Sequence, residues 1–141
     1  MFIQERVGIR TIPFYIYKFR TMKLSTKSQA THLIDESNIT YLGRILRRYK
    51  IDELPQLLNV FQGQMSLVGP RPCLMNQSEL IKLRLKRGLF DIKPGITGLA
   101  QILNVDMSNP ILLARIESRM IHGYSIIKYY KYLLSTVFKY Y

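Results

Sequence analysis

A mixed α/β (α+β) fold is what this sequence predicts: a small sheet built on a hairpin and surrounded by short amphipathic helices. Strand-like and helix-like stretches interleave along the chain, and most are short. Glycine and proline punctuate them at Gly8, Pro13, Gly63, Gly69-Pro70, Pro94-Gly95 and Gly123. With 141 residues, 48% of them apolar, the chain has room for one compact domain with its own core. Residues 1–141 contain no repeat, low-complexity tract or Gly/Ser linker that would divide it. The strand order stays open at this level.

Taken in order, Phe2 to Val7 and Phe14 to Arg20 read as the two strands of a hairpin. The second sets Phe14, Ile16, Lys18 and Arg20 on one face and Tyr15, Tyr17 and Phe19 on the other. Lys23 to Asn38 is polar and reads as a loop. Thr40 to Arg48 reads as a short helix, with Leu42, Ile45 and Leu46 inward and Arg44, Arg47 and Arg48 partly outward. Asp52 to Phe61 is a better helix: Leu54, Leu57, Leu58 and Phe61 recur at helical spacing, Pro55 falls in the first turn, and Gly63 supplies the stop. Met65 to Val68 reads as a short buried strand. Asn76 and Glu79 make a capping pair for a helix running to Gly88. Pro94-Gly95 marks a turn, and Leu99 to Val105 a further strand. Asn109-Pro110 opens a helix that Gly123 closes, and Tyr124 to Tyr141 is a helix rich in tyrosine and lysine.

The charge balance narrows the partners. Lys and Arg number 21 against 9 Asp and Glu, a net charge of +12. The excess is spread over both halves of the chain, so the expected partner is anionic: nucleic acid, acidic lipid or a phosphorylated small molecule. The single cysteine, Cys73, excludes an internal disulfide and a cysteine-rich zinc site. No run of ~20 apolar residues is present, and the first residues lack the apolar core of a signal peptide.

Chemistry concentrates in a few places. Asp52-Glu53 is an acid pair at a helix start, where the macrodipole alone favours acids. Its setting adds more, because Arg44, Arg47, Arg48 and Lys50 lie just before it in a chain short of acids. Carboxylates within a basic cluster can hold a divalent metal while arginines hold phosphate oxygens, and a carboxylate can itself attack phosphorus. Gly69-Pro70-Arg71-Pro72 is either a rigid turn with Arg71 in solvent or a rigid presentation of its guanidinium. Lys18 and Arg20, two apart on a strand, suit an anion or a solvated face. Lys93-Pro94-Gly95-Ile96-Thr97-Gly98 is a weak phosphate cradle and more simply a turn. Lys82, Arg84, Lys86 and Arg87 read as the outer face of a helix. His32, His122 and Cys73 have no partners at ligand spacing.

Ile51-Asp52-Glu53-Leu54-Pro55-Gln56-Leu57-Leu58-Asn59-Val60, followed by Met65-Ser66-Leu67-Val68-Gly69-Pro70-Arg71-Pro72, closely resembles the signature of the bacterial sugar transferases. These are monotopic phosphoglycosyl transferases. Tyr17-Lys18-Phe19-Arg20-Thr21-Met22 and Lys93-Pro94-Gly95-Ile96-Thr97-Gly98-Leu99-Ala100-Gln101 match the same family in the same order. The likeness runs from about Phe2 to about Ser108. It implies transfer of a sugar 1-phosphate from a nucleotide diphosphate sugar, usually a UDP-sugar, to polyprenol (undecaprenyl) phosphate. That reaction initiates bacterial glycan assembly at the cytoplasmic face of the inner membrane.

By resemblance, Asp52 is the nucleophile that carries a covalent phosphosugar, and Glu53 is its partner acid in holding Mg²⁺. Arg47 and Arg71 contact phosphate, while Lys18 and Arg20 match by motif. The family's apolar re-entrant helix, expected upstream of Gln4-Glu5-Arg6-Val7-Gly8, is not in this chain. Tyr49-Lys50 stands where relatives have Thr-Ser, and Leu103-Asn104 where they turn at Asn-Gly. The tail over residues 124–141 places Ile126, Ile127, Leu133, Leu134, Val137 and Phe138 among lysines and tyrosines, which suits either packing on the core or an anionic membrane surface. The alternatives are an inactive remnant of such an enzyme and a basic nucleic-acid-binding module. The arginines match no recognised nucleic-acid-binding motif, so nucleic acid is not the expected partner. A homodimer is compatible with the sequence, which leaves oligomeric state open.

Overall fold

A computed structural model describes residues 1–23 and 36–140. Strand β1 (Phe2–Val7) and strand β2 (Pro13–Lys18) form the expected antiparallel hairpin, with Arg6 opposite Phe14 and Phe2 opposite Lys18. The second strand stops at Lys18, so Lys18 and Arg20 do not share a strand face. Most of the loop expected at Lys23 to Asn38 lies outside the described residues; Met22 and Ile39 form a β-bridge across it.

Helix α1 (Tyr41–Arg48) is capped by Thr40, whose hydroxyl accepts from the Gly43 amide at 3.0 Å. Its inward side is not the expected one. Gly43 is the buried residue, while Leu42 and Ile45 are exposed. A Cβ at Gly43 would collide with the Thr21 carbonyl, so glycine lets this helix lie directly on the end of the hairpin.

The single helix expected over Asp52 to Phe61 is two pieces. A 3₁₀ turn, Ile51–Gln56, holds the acids and Pro55, and helix α2 (Leu57–Phe61) follows. The apolar spacing is real but faces outward: Leu54 is 50% and Phe61 87% exposed. Asp52, Glu53, Gln56 and Asn59 are buried instead. Asn59 explains this inversion. Its side chain accepts from the Tyr17 amide at 3.3 Å and donates to the Tyr15 carbonyl at 2.7 Å, so the polar face satisfies the backbone of β2.

Strand β3 (Ser66–Val68) pairs in parallel with β4 (Gly95–Thr97), so Gly95 opens a strand and is not simply a turn. A Cβ on Gly95 would strike the Gly69 backbone. The glycines therefore serve close approach of two chain segments, and the space of a phosphate cradle is already filled. Helix α3 (Ser78–Leu85) lacks the expected Asn76 cap: Gln77 is the N-cap residue, and its side chain accepts from the Leu74 amide.

Leu99 to Val105 is not a strand. Leu99–Ile102 is helix α4, with Ala100 buried, and Asn104 turns at a φ of 56°. A short apolar run does not by itself distinguish strand from buried helix, and packing on the next helix decides it here. That helix, α5 (Pro110–His122), is capped by the Asn109 side chain at 3.0 Å from the Leu112 amide. Helix α6 (Ile126–Tyr140) packs against α4, β3 and β4 along one side and exposes Ile126, Ile127, Leu134 and Phe138 on the other.

Val7, Cys73, Leu80, Leu89, Phe90, Ala100, Leu113 and Ala114 form the larger core, while Phe14, Ile16 and Met65 form a second one under the hairpin. Among the described residues no helix is long and apolar enough to cross a membrane.

Candidate functional site

Lys50 adopts a left-handed conformation, φ 57°, which breaks α1 from the 3₁₀ turn and aims Asp52 and Glu53 at the end of the hairpin. The Asp52 carbonyl accepts from the Phe19 amide at 2.9 Å, so the acids and the hairpin are fastened through backbone. This brings Lys18 to Glu53, Nζ to Oε1 at 2.8 Å. From the other side Arg71 Nη2 reaches the same Oε1 at 2.9 Å. Three positions singled out from sequence are thus one cluster.

Electrostatics divide the two acids. Burial opposes ionisation of Glu53, but Lys18 and Arg71 overcome it and hold its carboxyl well below the usual carboxylate range. Burial also dominates at Asp52, and neighbouring Glu53 adds to it, so Asp52 is pushed up despite the opposing fields of Lys18, Lys50 and Arg47. Among the described residues Asp52 Oδ1 is buried with no hydrogen-bond partner. Glu53 is locked in place, whereas Asp52 keeps an uncommitted oxygen inside a cationic surround.

Arg47 contributes to that surround while its Nε donates to Thr21 Oγ1 at 2.9 Å. Arg20 sits elsewhere: it is exposed, with its guanidinium 5.8 Å from the centroid of the Phe2 ring. Among the described residues no three His, Cys, Asp or Glu side chains cluster as a metal site. Two adjacent carboxylates, one with a free oxygen, still fit Mg²⁺, which is bound through one or two carboxylates with substrate phosphates completing its shell.

The support for Arg71 was not legible in the sequence. Arg84, read there as an outer-face cation, is 2% exposed and forms a two-point pair with Glu117, at 2.6 and 2.9 Å. Its Nη2 also donates to the Arg71 carbonyl at 2.9 Å, fixing the backbone between Pro70 and Pro72. The available signal was in α5, where Glu117 falls on the same helical face as buried Leu113 and Met120. Arg6 is a second omission. It is buried beside the cluster, donates to the Pro72 carbonyl at 3.1 Å, and is lowered to about 10 by burial and by Arg71. Cys73 is buried and its thiol pushed up, and His122 bonds within its own helix to Ser118, so neither joins the site. His32 lies outside the described residues.

Beside Glu53 and Arg71 opens a cavity of about 160 Å³. Leu54, Leu57, Leu67, Ile96, Leu133 and Val137 supply its apolar walls, with Lys50 also lining it.

Comparison with known proteins bears on the family of the chain. The family described as bacterial sugar transferase matches residues 1–141. The "Uncharacterized sugar transferase EpsL" of Bacillus subtilis is 50% identical over 101 residues, covering 72% of this chain and 50% of that protein. A Klebsiella pneumoniae protein named UDP-glucose:undecaprenyl-phosphate glucose-1-phosphate transferase is 37% identical, covering 99% of this chain and 32% of its own length. An Aeromonas hydrophila UDP-N-acetylgalactosamine-undecaprenyl-phosphate N-acetylgalactosaminephosphotransferase is 37% identical over 110 residues, 74% of this chain and 26% of that one. The chain therefore spans half or less of the length of these relatives. On the strength of the match along its whole length, this chain belongs to the bacterial sugar transferase family.

Proposed function

We propose that this chain carries the catalytic centre of a phosphoglycosyl transferase. It moves a sugar 1-phosphate from a nucleotide diphosphate sugar, a UDP-sugar, to polyprenol phosphate, the undecaprenyl phosphate named for its relatives. The observation that carries the reading is the division of labour between the acids: Glu53 pinned by Lys18 and Arg71, and Asp52 with a buried Oδ1 that has no partner among the described residues.

An Asp52 carboxylate oxygen attacks the phosphorus that bears the sugar. The bond from that phosphorus to the bridging oxygen breaks, and the bridging oxygen leaves on the nucleoside monophosphate. An acyl phosphate to the sugar results. A phosphate oxygen of the acceptor then attacks the same phosphorus, the acyl–oxygen bond to phosphorus breaks, and the Asp52 carboxylate is regenerated. Lys18, Arg47 and Arg71 surround the diphosphate with positive charge as its bridging oxygen becomes an anion. Mg²⁺, held by Asp52 and Glu53, would neutralise further charge on the diphosphate oxygens. The chain works peripherally at the cytoplasmic face of the inner membrane, where a lipid-borne acceptor presents its phosphate.

Incubating the protein with a UDP-sugar and Mg²⁺, without acceptor, should release one UMP per site and leave a phosphosugar adduct visible by intact-mass spectrometry. Asp52→Asn should show neither, with the full transfer rate falling by at least three orders of magnitude. Near-normal turnover by that variant would end the assignment.

A further inference from the structure

We infer that the apolar cavity beside Glu53 receives the phosphate-proximal isoprene units of the acceptor; this rests on the reaction proposed above. The cavity combines two chemistries in one space. Lys50, Glu53 and Arg71 line it where it meets the reacting groups, and Leu54, Leu57, Leu67, Ile96, Leu133 and Val137 make up the rest of the wall together with Thr97, Gln101 and Thr136. An anionic head on a branched hydrocarbon matches that order of charge and apolar surface.

The donor's nucleoside matches it poorly. Among the described residues, the lining side chains include no aromatic ring on which a base could stack. The hydroxyls of Thr97 and Thr136 are 2.6 Å apart, and Thr136 Oγ1 is also within 2.9 Å of the Tyr132 carbonyl, so both hydroxyls are engaged within the protein. The side-chain oxygen and nitrogen of Gln101 have no hydrogen-bond partner among the described residues, but both are buried rather than presented at the surface. What the cavity offers a ligand is aliphatic contact, which rewards hydrocarbon and gives a polar base little in return for its lost water.

The cavity also leads somewhere. Leu54, Leu57 and Val137 line it and are themselves partly exposed, and Leu58, Leu134 and Phe138 continue the apolar surface on α2 and α6. A lipid tail leaving the cavity thus meets apolar side chains of both helices before it reaches the bilayer. A nucleotide sugar, soluble along its whole length, has no use for such a path.

The test separates the two half-reactions. Val137→Trp on α6 and Leu57→Trp on α2 each add bulk to the cavity lining from a partly exposed position, where a larger ring is least damaging to the fold. Each is assayed for acceptor-independent UMP release from a UDP-sugar, and for the KM of farnesyl phosphate and of a long-chain polyprenol phosphate in complete transfer. Both variants should release UMP within twofold of the parent while the acceptor KM rises tenfold or more. Slowed UMP release with an unchanged acceptor KM would make the cavity a donor subsite and overturn the inference, while leaving the proposed reaction intact. Unchanged kinetics in both half-reactions would overturn it as well. A parent protein that releases no UMP would remove the two-step reaction and this inference together.

Discussion

At the residue scale the site is built from charges whose desolvation is answered unequally. Glu53 has two cationic partners within 2.9 Å, so its burial is compensated. Asp52 is 8% exposed and has an oxygen without a partner among the described residues, an arrangement that favours reactivity at a cost in stability. Asp52→Asn should therefore stabilise the fold at neutral pH by about 1 kcal/mol, a rise of ~3 °C in Tm, while destroying transfer. The sign of the pH dependence follows from the raised carboxyl. A group whose folded pKa exceeds its unfolded value binds its proton more tightly in the folded chain, so stability falls as pH rises through that window. The window opens near 3.8 and closes at the raised folded value, so the advantage of asparagine should grow across it and vanish in stronger acid. Thermal melts of both proteins from pH 3 to 8 would check this. A variant less stable than its parent at pH 7 contradicts the account.

At the scale of elements, α3 and α5 act as a bracket for the Pro70-Arg71-Pro72 segment. The Arg84–Glu117 pair is deeply buried, and burial pushes the Glu117 carboxyl up against the opposing pull of Arg84. Removing one partner leaves the other as an uncompensated charge in the core, so Arg84→Met should cost roughly 3–5 kcal/mol in urea denaturation. Pairing it with Glu117→Leu should recover most of that loss, because two apolar side chains demand no solvation. The double variant still lacks the donor to the Arg71 carbonyl, so its transfer activity should stay below that of the parent. Equal costs for the single and double variants would show that burial of charge is not the controlling quantity. Asn59 does the corresponding work for α2: its amide closes the backbone of β2 and also donates to Gln64 Oε1 at 2.8 Å.

At the scale of the whole molecule, a net charge of +12 accompanies an apolar surface spread over α2 and α6. Leu58 and Phe61 on one helix, and Ile127, Tyr130 and Phe138 on the other, are exposed alongside Lys128 and Lys131. Apolar and basic side chains together suit the headgroup region of an anionic bilayer. Sedimentation should show binding to phosphatidylglycerol vesicles that weakens with salt, and little binding to neutral phosphatidylcholine. Ile127→Glu and Phe138→Glu, at positions more than 80% exposed, should reduce binding with stability unchanged within about 0.5 kcal/mol. Equal affinity for neutral and anionic vesicles would remove the electrostatic part of this picture.

Local interactions made much of this chain readable in advance. The hairpin follows from the alternation over β2 and the turn residues Gly8 and Pro13, and helices α1 and α5 from Thr40 and Asn109, whose caps act within one turn. The acid pair and the proline-flanked Arg71 were recognisable by residue type and order, because phosphate chemistry needs carboxylates and guanidinium groups whatever surrounds them. Direction was not readable. Helical spacing marks Leu54, Leu57, Leu58 and Phe61 as one face, but it does not say whether that face meets the core. The answer came from the unpaired backbone of β2, which required the polar face bearing Asn59. Arg84 was misplaced for the same reason, since its partners lie at Glu117 and Arg71, 33 and 13 residues away. Sequence by itself settled which groups are present and which turns they cap. Tertiary structure decided which face is buried and which charges meet, because both depend on partners that only the folded chain brings within a few ångströms.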